Sequence, residues 1–333
     1  MTVLLALLCL LLCLLLGGAP MALAAECPDS MVPIPAGRFQ IGAAGQLPEE
    51  GPARAVRLSA FCLQSHEVSN REFAAFVEAS GYRTVAERPL SEEQFPDLPA
   101  AERRAGSVVF RPPAAAGEVE ELSWWQWVPG ADWRHPEGPG SSIDGRLDHP
   151  VVHVAVADAV AYADWVGAAL PSEAQWEFAA RGGLRDQVFG WGETWSPRQA
   201  NTWQGDFPRL DSAEDGYAGT APVASFPAND YGLHDMTGNV WEWTSDWYQI
   251  GHGGLSGRRD PTAADRSVSS DPRDPGVAKH VIKGGSFLCS STYCSRYRPA
   301  AREAECPDTG TSHIGFRLVA PLSSALSTAL PTS

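Results

Sequence analysis

Glycine and proline occur along the whole chain, and they limit the length of any helix or strand that it can form. The 333 residues include 32 glycines and 27 prolines, and no single linker gathers them. Glycine weakens the interiors of regular elements, and proline removes a backbone donor. Twelve tryptophans supply large rings that can pack between loops. The pattern predicts an irregular α+β domain with few helices, short strands and long ordered loops.

Three helices can be placed from their start and stop signals. The stretch 69–72 is a capping box, in which a serine and a glutamate three residues on satisfy free backbone donors, and Gly81 ends that helix. The stretch 172–175 repeats the device, and Gly182 ends the second helix. Residues 158–166 are predicted to form a third helix between them.

Short strands and long loops account for most of the remaining chain. Residues 31–42 indicate two strands around a turn, and residues 56–63 alternate as one strand. Residues 87–120 are rich in proline, alanine and charge, which indicates a long surface excursion. Residues 258–275 have a similar composition and are predicted to form a mobile loop.

The first 25 residues are interpreted as a cleaved secretory signal, although they carry no lysine or arginine. Their apolar run, 4–16, is shorter than the roughly 20 residues of a membrane span. No later stretch is long and apolar enough to span a bilayer. We therefore expect a domain at 26–322, a tail at 323–333, and export to the endoplasmic reticulum lumen or the medium, with a bacterial periplasm as the alternative.

The formal net charge of −15 argues against nucleic acid or an anionic membrane as a partner, because both need a basic surface. It is compatible with binding of a basic peptide, although a soluble, self-repelling surface is the commoner reason for acidity. We expect a monomer.

Two of the seven cysteines leave with the signal, and five remain in the mature chain. The remaining ones are Cys27, Cys62, Cys289, Cys294 and Cys306. Structural cysteines normally pair in an oxidising compartment, so an odd number leaves at least one thiol free, metal-bound or joined to another molecule.

The most distinctive local feature is the pair Cys289 and Cys294 in a segment that begins with Gly284 and Gly285. Thiolates are soft ligands that favour copper(I) or zinc, and two of them leave a coordination position open for a third sulfur. A structural disulfide is the common alternative for such a pair in an exported protein. From the residues alone, both interpretations stay open.

The segment that contains this pair, 284–302, together with 312–317, resembles the C-terminal signature of formylglycine-generating enzymes. Further motifs of that family occur in the same order along the chain, at 31–37, 67–70, 133–139, 148–151, 170–183, 201–205 and 238–243. The resemblance covers nearly the whole mature chain. It implies the family's compact variant of the C-type-lectin-like fold, with little regular secondary structure.

The resemblance also implies a reaction. Cys289 and Cys294 would bind copper(I), and a cysteine of an unfolded sulfatase, in a Cys-x-Pro-x-Arg-type segment, would join as a third ligand. Oxygen would then oxidise that cysteine, and the thioaldehyde would hydrolyse to formylglycine. Ser286 would hydrogen-bond in the oxygen or substrate pocket, although it also suits a turn. Tyr293 and Trp133 would wall the peptide groove, although core packing suits such rings equally well.

Two structural calcium sites follow from the same resemblance. Calcium takes roughly six to eight oxygen ligands, which a loop with carboxylates and free carbonyls can supply. The first site would use the side chains of Asp235 and Glu242 with the carbonyls of Gly238 and Val240. The second site would use Asn201 and Asp215 with the carbonyls of Thr202 and Tyr217.

The remaining charged residues have more ordinary interpretations. Arg296 and Arg298 would share one face of a strand and could lower the pKa of the thiols, but pairing with internal carboxylates is the more usual role for them and for Arg302. His149 and His153, the latter inside a valine-rich strand, are expected to be core or turn histidines without a catalytic role.

The chain departs from several relatives at four positions where they carry cysteines, which implies that two disulfides are missing together. These positions are Ala163, Ala180, Pro299 and Leu318. The stretch 86–110 also differs, in a region that shapes the peptide groove.

Two other functions compete with the oxidase. A catalytically silent sulfatase-binding or lectin-like module would be favoured by a permanent Cys289–Cys294 disulfide. An iron oxidase of sulfur-containing amino-acid biosynthesis would need histidine ligands, which this chain does not show in the expected pattern.

Overall fold

The computed structural model describes residues 26–44, 47–93, 95–113, 120–252, 254–255 and 257–323. The predicted signal, and all of the predicted tail except its first residue, lie outside the described residues. Three α-helices occur in this part of the chain: α1 (Asn70–Ser80), α2 (Val156–Val166) and α3 (Glu173–Ala180). Its strands are β1 (Met31–Ile34), β2 (Gly37–Ile41), β3 (Arg54–Leu58), β4 (Phe61–Gln64), β5 (Gly106–Phe110), β6 (Trp125–Pro129), β7 (Gly205–Asp206), β8 (Leu210–Asp211), β9 (Trp241–Trp247), β10 (His280–Lys283), β11 (Glu303–Glu305), β12 (Ile314–Gly315) and β13 (Val319–Pro321). The low helix content and small sheets confirm the irregular α+β prediction.

Two sheets hold the fold together. One has four strands in the order β11-β10-β9-β12, with β12 parallel to β9 and the other neighbours antiparallel. The second has three strands in the order β1-β4-β13, all antiparallel. The pairs β2–β3, β5–β6 and β7–β8 form two-stranded ribbons. Strand β10 is central to the site, because the chain leaves it directly into the segment that carries Cys289 and Cys294.

The helices begin and end close to where their capping residues predict. The Ser69 hydroxyl accepts a hydrogen bond from the Glu72 backbone N–H, and Gly81 ends α1 with a left-handed φ of 69°. Helix α3 has the same kind of cap at Ser172. Helix α2 begins two residues earlier than predicted, because the Asp158 carboxylate accepts a hydrogen bond of 2.9 Å from the backbone N–H of Ala155 and caps its first turn.

The main hydrophobic core lies where α1 and α2 pack on β9 and β12. The ring of Phe73 stacks on Tyr162 with centroids 5.9 Å apart and meets Trp133 edge-on at 5.2 Å. Phe316, next to β12, meets both Phe73 and Tyr162. Each fully buried large apolar side chain contributes about 1.5–3 kcal/mol relative to an exposed one. Packing of rings between loops therefore replaces long regular elements as the source of stability.

The single strand predicted at 56–63 is wrong. Strand β3 ends at Leu58 and β4 begins at Phe61, and they belong to different sheets: β3 pairs with β2, and β4 pairs with β1 and β13. The side chains of β4 are buried on both faces, so the alternation between buried and exposed residues in β3 does not continue into β4.

The surface excursion predicted at 87–120 is wrong in part, because strand β5 lies inside it. Val109 of β5 is 2% exposed, and the Ser107 hydroxyl donates to the Gly310 carbonyl.

The Nδ1 atom of His153 is hydrogen-bonded to Ser107 Oγ at 2.8 Å, and the His153 backbone has a left-handed φ of 60°. It is therefore a buried turn histidine, as one interpretation held, and it does not lie in a strand.

Cys27 and Cys62 form a disulfide, which resolves two of the three unassigned thiols. Cys306 remains free and partly exposed.

None of the described helices is both long and apolar enough to cross a membrane.

Candidate active site

Two glycines turn the chain from β10 into the thiol segment. Gly284 and Gly285 have φ angles of 96° and 74°, in the left-handed region that side chains rarely adopt. A Cβ on Gly285 would lie 2.9 Å from the Tyr297 Cα, so the close approach of the two backbone stretches also requires glycine there. The turn leads the chain out of β10 and into the segment that holds Cys289 and Cys294.

The structure brings Cys289 and Cys294 together as one unit. Their sulfur atoms lie 2.6 Å apart, with Cys289 1% exposed and Cys294 partly exposed at the surface. Backbone hydrogen bonds fix Cys289: its N–H donates to the Ser286 carbonyl (2.9 Å), and its carbonyl accepts from the Trp203 N–H (3.0 Å). Such a pair can hold one soft metal ion or form a reversible disulfide, and Cys294 is the less buried of its two members.

The two thiols differ in acidity. Burial raises the pKa of Cys289 well above its usual value, and the neighbouring Cys294 sulfur raises it further. The pKa of Cys294 is lowered, first because the Cys289 thiol donates to its sulfur and then because the Arg296 backbone and guanidinium stabilise its negative charge. Cys294 is therefore the more acidic of the two thiols, and it is also the less buried one.

Ser286 lies beside the thiols and is fully buried. Its hydroxyl oxygen accepts a hydrogen bond of 3.2 Å from the Leu288 N–H, which is the turn role. The same side chain hydrogen-bonds to the Cys289 sulfur and lowers the pKa of that thiol. The position thus combines the turn role with a contact to the reactive pair.

An aromatic wall borders the exposed thiol. The ring of Tyr293 is 41% exposed and stacks on Phe207 with centroids 4.3 Å apart. Trp124 meets both rings edge-on, at 5.3 Å from Tyr293 and 5.4 Å from Phe207. Trp203 packs on Phe207 at 5.2 Å. Sequence reasoning missed Phe207, Trp124 and Trp203; the only available signal for Trp203 was its place in the motif at 201–205.

Trp133 lies elsewhere. It is 2% exposed, packs on Phe73 in the main core and carries the Arg134 guanidinium 4.1 Å from its ring centre. A side chain so deeply buried offers little surface to a peptide, so its placement matches the core interpretation.

The two acids of the first predicted calcium site, Asp235 and Glu242, lie near the buried Arg317. Glu242 binds Arg317 with two hydrogen bonds of 2.7 Å and accepts a third from the Trp176 indole at 2.7 Å. One oxygen of Asp235, Oδ1, is buried without a partner. Oε2 of Glu67, a residue that the sequence did not single out for this site, is also buried without a partner. These two orphaned oxygens fit a hard cation, whereas Glu242 is already satisfied.

The residues of the second predicted site form a tight loop. The Asp215 carboxylate accepts hydrogen bonds from the backbone N–H groups of Thr202 (3.0 Å) and Tyr217 (2.9 Å). Oδ1 of Asn201 is buried without a partner, and the Thr202 carbonyl accepts from the Gln204 amide. A cation at Asn201 would satisfy the orphaned oxygen. Within the described ranges, no group of three or more His, Cys, Asp or Glu side chains is arranged to hold a metal, so a cation at either place would also need backbone or amide oxygens as ligands.

The two loops are joined to each other and to the thiol segment. The Asn239 N–H donates to the Asn201 carbonyl (2.8 Å), and the Gly238 N–H donates to the Gly284 carbonyl (2.9 Å). Together with the Trp203–Cys289 hydrogen bond, these contacts hold the backbone of the thiol segment against the two loops.

The arginines that follow the thiols pair with internal acids. Arg296 binds Glu49 at 2.6 Å, Arg298 binds the buried Glu50, and Arg302 binds Glu173 at 2.6 Å. Residues 296–298 do not form a strand, so the prediction that Arg296 and Arg298 share a strand face is wrong. Their usual role as internal ion pairs is confirmed, and Arg296 also lowers the pKa of Cys294.

Comparisons with known proteins show the family of this chain. The model of the sulfatase-modifying factor enzyme 1-like domain matches residues 19–322. A Mycobacterium tuberculosis protein named formylglycine-generating enzyme is 48% identical over 297 residues, covering 87% of this chain and 97% of that protein. A Bos taurus protein named inactive C-alpha-formylglycine-generating enzyme 2 is 40% identical, covering 86% and 87%. The solved structure of PvdO from Pseudomonas aeruginosa has a TM-score of 0.56 at 25% identity, covering 91% of this chain and 100% of that one. The chain belongs to the sulfatase-modifying factor enzyme 1-like family.

Proposed function

We propose that this chain is a formylglycine-generating enzyme that oxidises a cysteine in a Cys-x-Pro-x-Arg-type segment of a sulfatase, using oxygen. The observation that carries the proposal is the pair of sulfur atoms 2.6 Å apart, one on a buried residue and one on a partly buried residue beside an aromatic wall. The names of the similar proteins support the same activity.

The chain's own residues have distinct tasks in this reaction. Cys294 offers the more acidic and less buried sulfur of the pair, and Cys289 supplies a second sulfur that is held by its backbone hydrogen bonds. Tyr293 and Phe207 present ring faces to the client segment and exclude water from the thiols. Burial first, and then the charges of Cys294 and Glu121, raise the pKa of Tyr293 to about 12, so an acidic side chain lies near the aromatic wall.

Copper(I) held by Cys289 and Cys294 would supply the one-electron chemistry that lets oxygen oxidise a thiol-bearing carbon. The overall reaction balances when the client CH₂–SH group gives up two electrons and a thiol reductant gives up two more. The four electrons reduce O₂ to two waters. One of these equivalents of water hydrolyses the oxidised carbon and releases H₂S, which leaves the aldehyde.

The test is mass spectrometry of a Cys-x-Pro-x-Arg peptide incubated with purified protein, copper(I), oxygen and a thiol reductant. Conversion of the peptide cysteine to an aldehyde is expected for the wild type and lost in Cys289→Ser and Cys294→Ser. Cys306→Ser is the matched control, because Cys306 is also a free thiol but lies outside the pair, and it should retain activity. Equal conversion by all three variants would remove the thiol pair from the mechanism.

A direct measurement of the metal site uses competition with a copper(I) chelator. We expect one copper(I) per wild-type chain, with each serine variant binding at least tenfold more weakly because one of two sulfur ligands is lost. Tight binding by Cys289→Ser would contradict the two-sulfur site.

A catalytically silent binding module is the second candidate, and the close relative named inactive is the observation that favours it. Two sulfurs at this separation could also form a permanent disulfide. Thiol counting on the unreduced protein distinguishes the candidates: reactive Cys289 and Cys294 support the enzyme, and a stable disulfide that survives mild reductant supports the binding module.

Structural calcium at both predicted sites is part of the same proposal. The orphaned oxygens of Asp235 and Asn201 support it, because a bound cation would satisfy two buried atoms that otherwise have no partner.

We also propose that the protein is exported and works in an oxidising compartment as a monomer. The Cys27–Cys62 disulfide supports this location, since such bonds persist outside the reducing cytosol.

A further inference from the structure

Four aromatic rings pack together beside the thiol pair. They belong to Tyr297 and to three residues of one short loop, Phe189, Trp191 and Trp195, and we call them the ring cluster. Phe189 and Gly192 exchange two backbone hydrogen bonds, of 2.9 and 3.2 Å, which hold this loop in a tight turn. Among the described residues, no ring of the cluster contacts a ring of the aromatic wall.

Tyr297 is the member of the cluster that adjoins the thiols. It is 8% exposed and belongs to the same packed core as Cys289, and Cys294 packs against that core. Burial first, and then the charge of Cys289, raise the pKa of Tyr297, so its phenol lies within electrostatic range of that sulfur. Its backbone lies against Gly285, at the turn that begins the thiol segment.

Trp195 connects Tyr297 to the surface. The centre of its ring lies 5.0 Å from that of Tyr297 and 6.1 Å from that of Trp191. Both tryptophans are partly exposed, and the Trp191 indole N–H donates to the Thr194 carbonyl at 3.0 Å. Phe189 lies parallel to Trp191 and Tyr297, at 4.9 and 6.2 Å, and packs the cluster from another side. A continuous series of ring contacts therefore joins the thiol pair to the surface.

The rings in this series are of the kind that can carry an electron. Tryptophan and tyrosine side chains give up a single electron readily, whereas phenylalanine does not. Electron transfer slows steeply with distance, so two short steps between neighbouring rings are faster than one long step. The reaction proposed above needs such a route, because two of the four electrons that reduce oxygen come from an external thiol reductant.

We propose that Tyr297, Trp195 and Trp191 form a relay that carries single electrons between the surface and the thiol pair, and that the electrons of the reductant enter the reaction along it. The entry role rests on the proposed oxidase function, whereas the relay itself does not. Phe189 holds the rings in place and carries no electron.

The electrons and protons balance over two passes. In each pass Tyr297 gives one electron and its phenolic proton to the reduction of oxygen at the thiol pair. It takes both back as an electron arrives from Trp195, which is reduced in turn by Trp191. An external thiol then reduces Trp191. Two passes oxidise two thiols to one disulfide and deliver two electrons and two protons.

The relay is tested without metal or client by flash photo-oxidation with a soluble ruthenium(III) complex, followed by electron paramagnetic resonance of the frozen sample. The parent protein is C289S/C294S, in which neither thiol of the pair can take the radical from Tyr297. In each variant, the Tyr297 signal is the part of the tyrosyl spectrum that is lost when Tyr297→Phe is added.

Trp195→Phe should lower the Tyr297 signal about fivefold or more, whereas Trp195→Tyr should keep at least half of it, because tyrosine is also oxidisable. A purely structural role would not separate these two variants. Trp165→Phe is the matched control: Trp165 is 46% exposed and its ring lies 6.0 Å from another tyrosine, Tyr162, so its loss should leave the Tyr297 signal unchanged.

The entry role is tested with the thiol pair intact, by measuring aldehyde formation at a limiting concentration of thiol reductant. Trp195→Phe should lower kcat about fivefold or more without changing KM for the client peptide, and Trp195→Tyr should restore at least half of kcat. Trp165→Phe should behave like the wild type.

A Tyr297 signal in Trp195→Phe equal to that of the parent, or equal losses in Trp195→Phe and Trp195→Tyr, would overturn the relay. A lost signal with unchanged kcat would overturn the entry role. If the wild type forms no aldehyde but the Tyr297 signal depends on Trp195 as expected, the oxidase function and the entry role fall together while the relay stands.

Discussion

Replacement of Arg302 by methionine tests the buried charges that support the thiol segment. The Arg302 guanidinium binds Glu173 through two hydrogen bonds of 2.6 and 2.7 Å, and both side chains are almost fully buried. It also donates to the Gln249 carbonyl at 2.6 Å. Its loss leaves the Glu173 carboxylate buried, with Lys283 at 3.8 Å as the closest remaining side chain of fixed positive charge.

The expected loss in the free energy of unfolding is about 3–5 kcal/mol, the range for removing one partner of a buried ion pair. The remaining lysine should keep the value toward the lower end. The double variant E173Q/R302M removes both charges and should recover at least half of this loss, because neutral side chains carry no uncompensated charge.

The assay is urea unfolding at pH 7 followed by tryptophan fluorescence. Arg71→Met is the matched control: Arg71 pairs with Asp148 at the surface, with both side chains at least 60% exposed. Such pairs contribute about 0–1 kcal/mol. If Arg302→Met costs no more than Arg71→Met, or if the double variant is less stable than Arg302→Met, the reasoning about buried charge is refuted.

Three further predictions concern the core, the pH dependence and the proposed calcium. Phe73→Ala should lower the free energy of unfolding by about 3–5 kcal/mol in urea, because it leaves a cavity among four rings; a loss below about 1 kcal/mol would contradict the packing. Burial raises the pKa of Asp158 to about 6, above its value of about 4 in an unfolded chain. The contribution of this group to the free energy of unfolding is therefore complete below pH 4 and is lost as pH rises through 6. Stability measured from pH 4 to 7 should therefore fall by about 2–3 kcal/mol from this group, and Asp158→Asn should flatten that slope. Removal of calcium by a chelator should lower the melting temperature of the wild type but much less that of Asn201→Ala, and equal shifts in both would argue against a cation at Asn201.

Local signals predicted the helices well because each has its start and stop in adjacent residues. The capping box at Ser69 and the left-handed Gly81 fix the ends of α1 regardless of the rest of the chain. The strands were harder, because their boundaries depend on distant partners. Strand β4 pairs with β1 and β13, and nothing within 56–63 indicates that the chain changes sheets at Ser59.

The candidate site was predictable where chemistry is carried by one segment and less so where it is assembled from several. Cys289, Cys294 and Ser286 lie within nine residues and could be found together. The aromatic wall joins Trp124, Phe207 and Tyr293 from three distant loops, and only the three-dimensional fold shows that they touch. The odd cysteine count did indicate unpaired thiols, and the structure assigns them by pairing Cys27 with Cys62.

The most direct test of the central claim is a time course of aldehyde formation on the Cys-x-Pro-x-Arg peptide with copper-loaded, reduced wild-type protein under air and under nitrogen. The account predicts that mass spectrometry detects steady conversion of the peptide cysteine to formylglycine under air and none under nitrogen. If the folded, copper-loaded protein leaves the peptide thiol intact under air, the chain is not an oxidase of this segment and the account is contradicted.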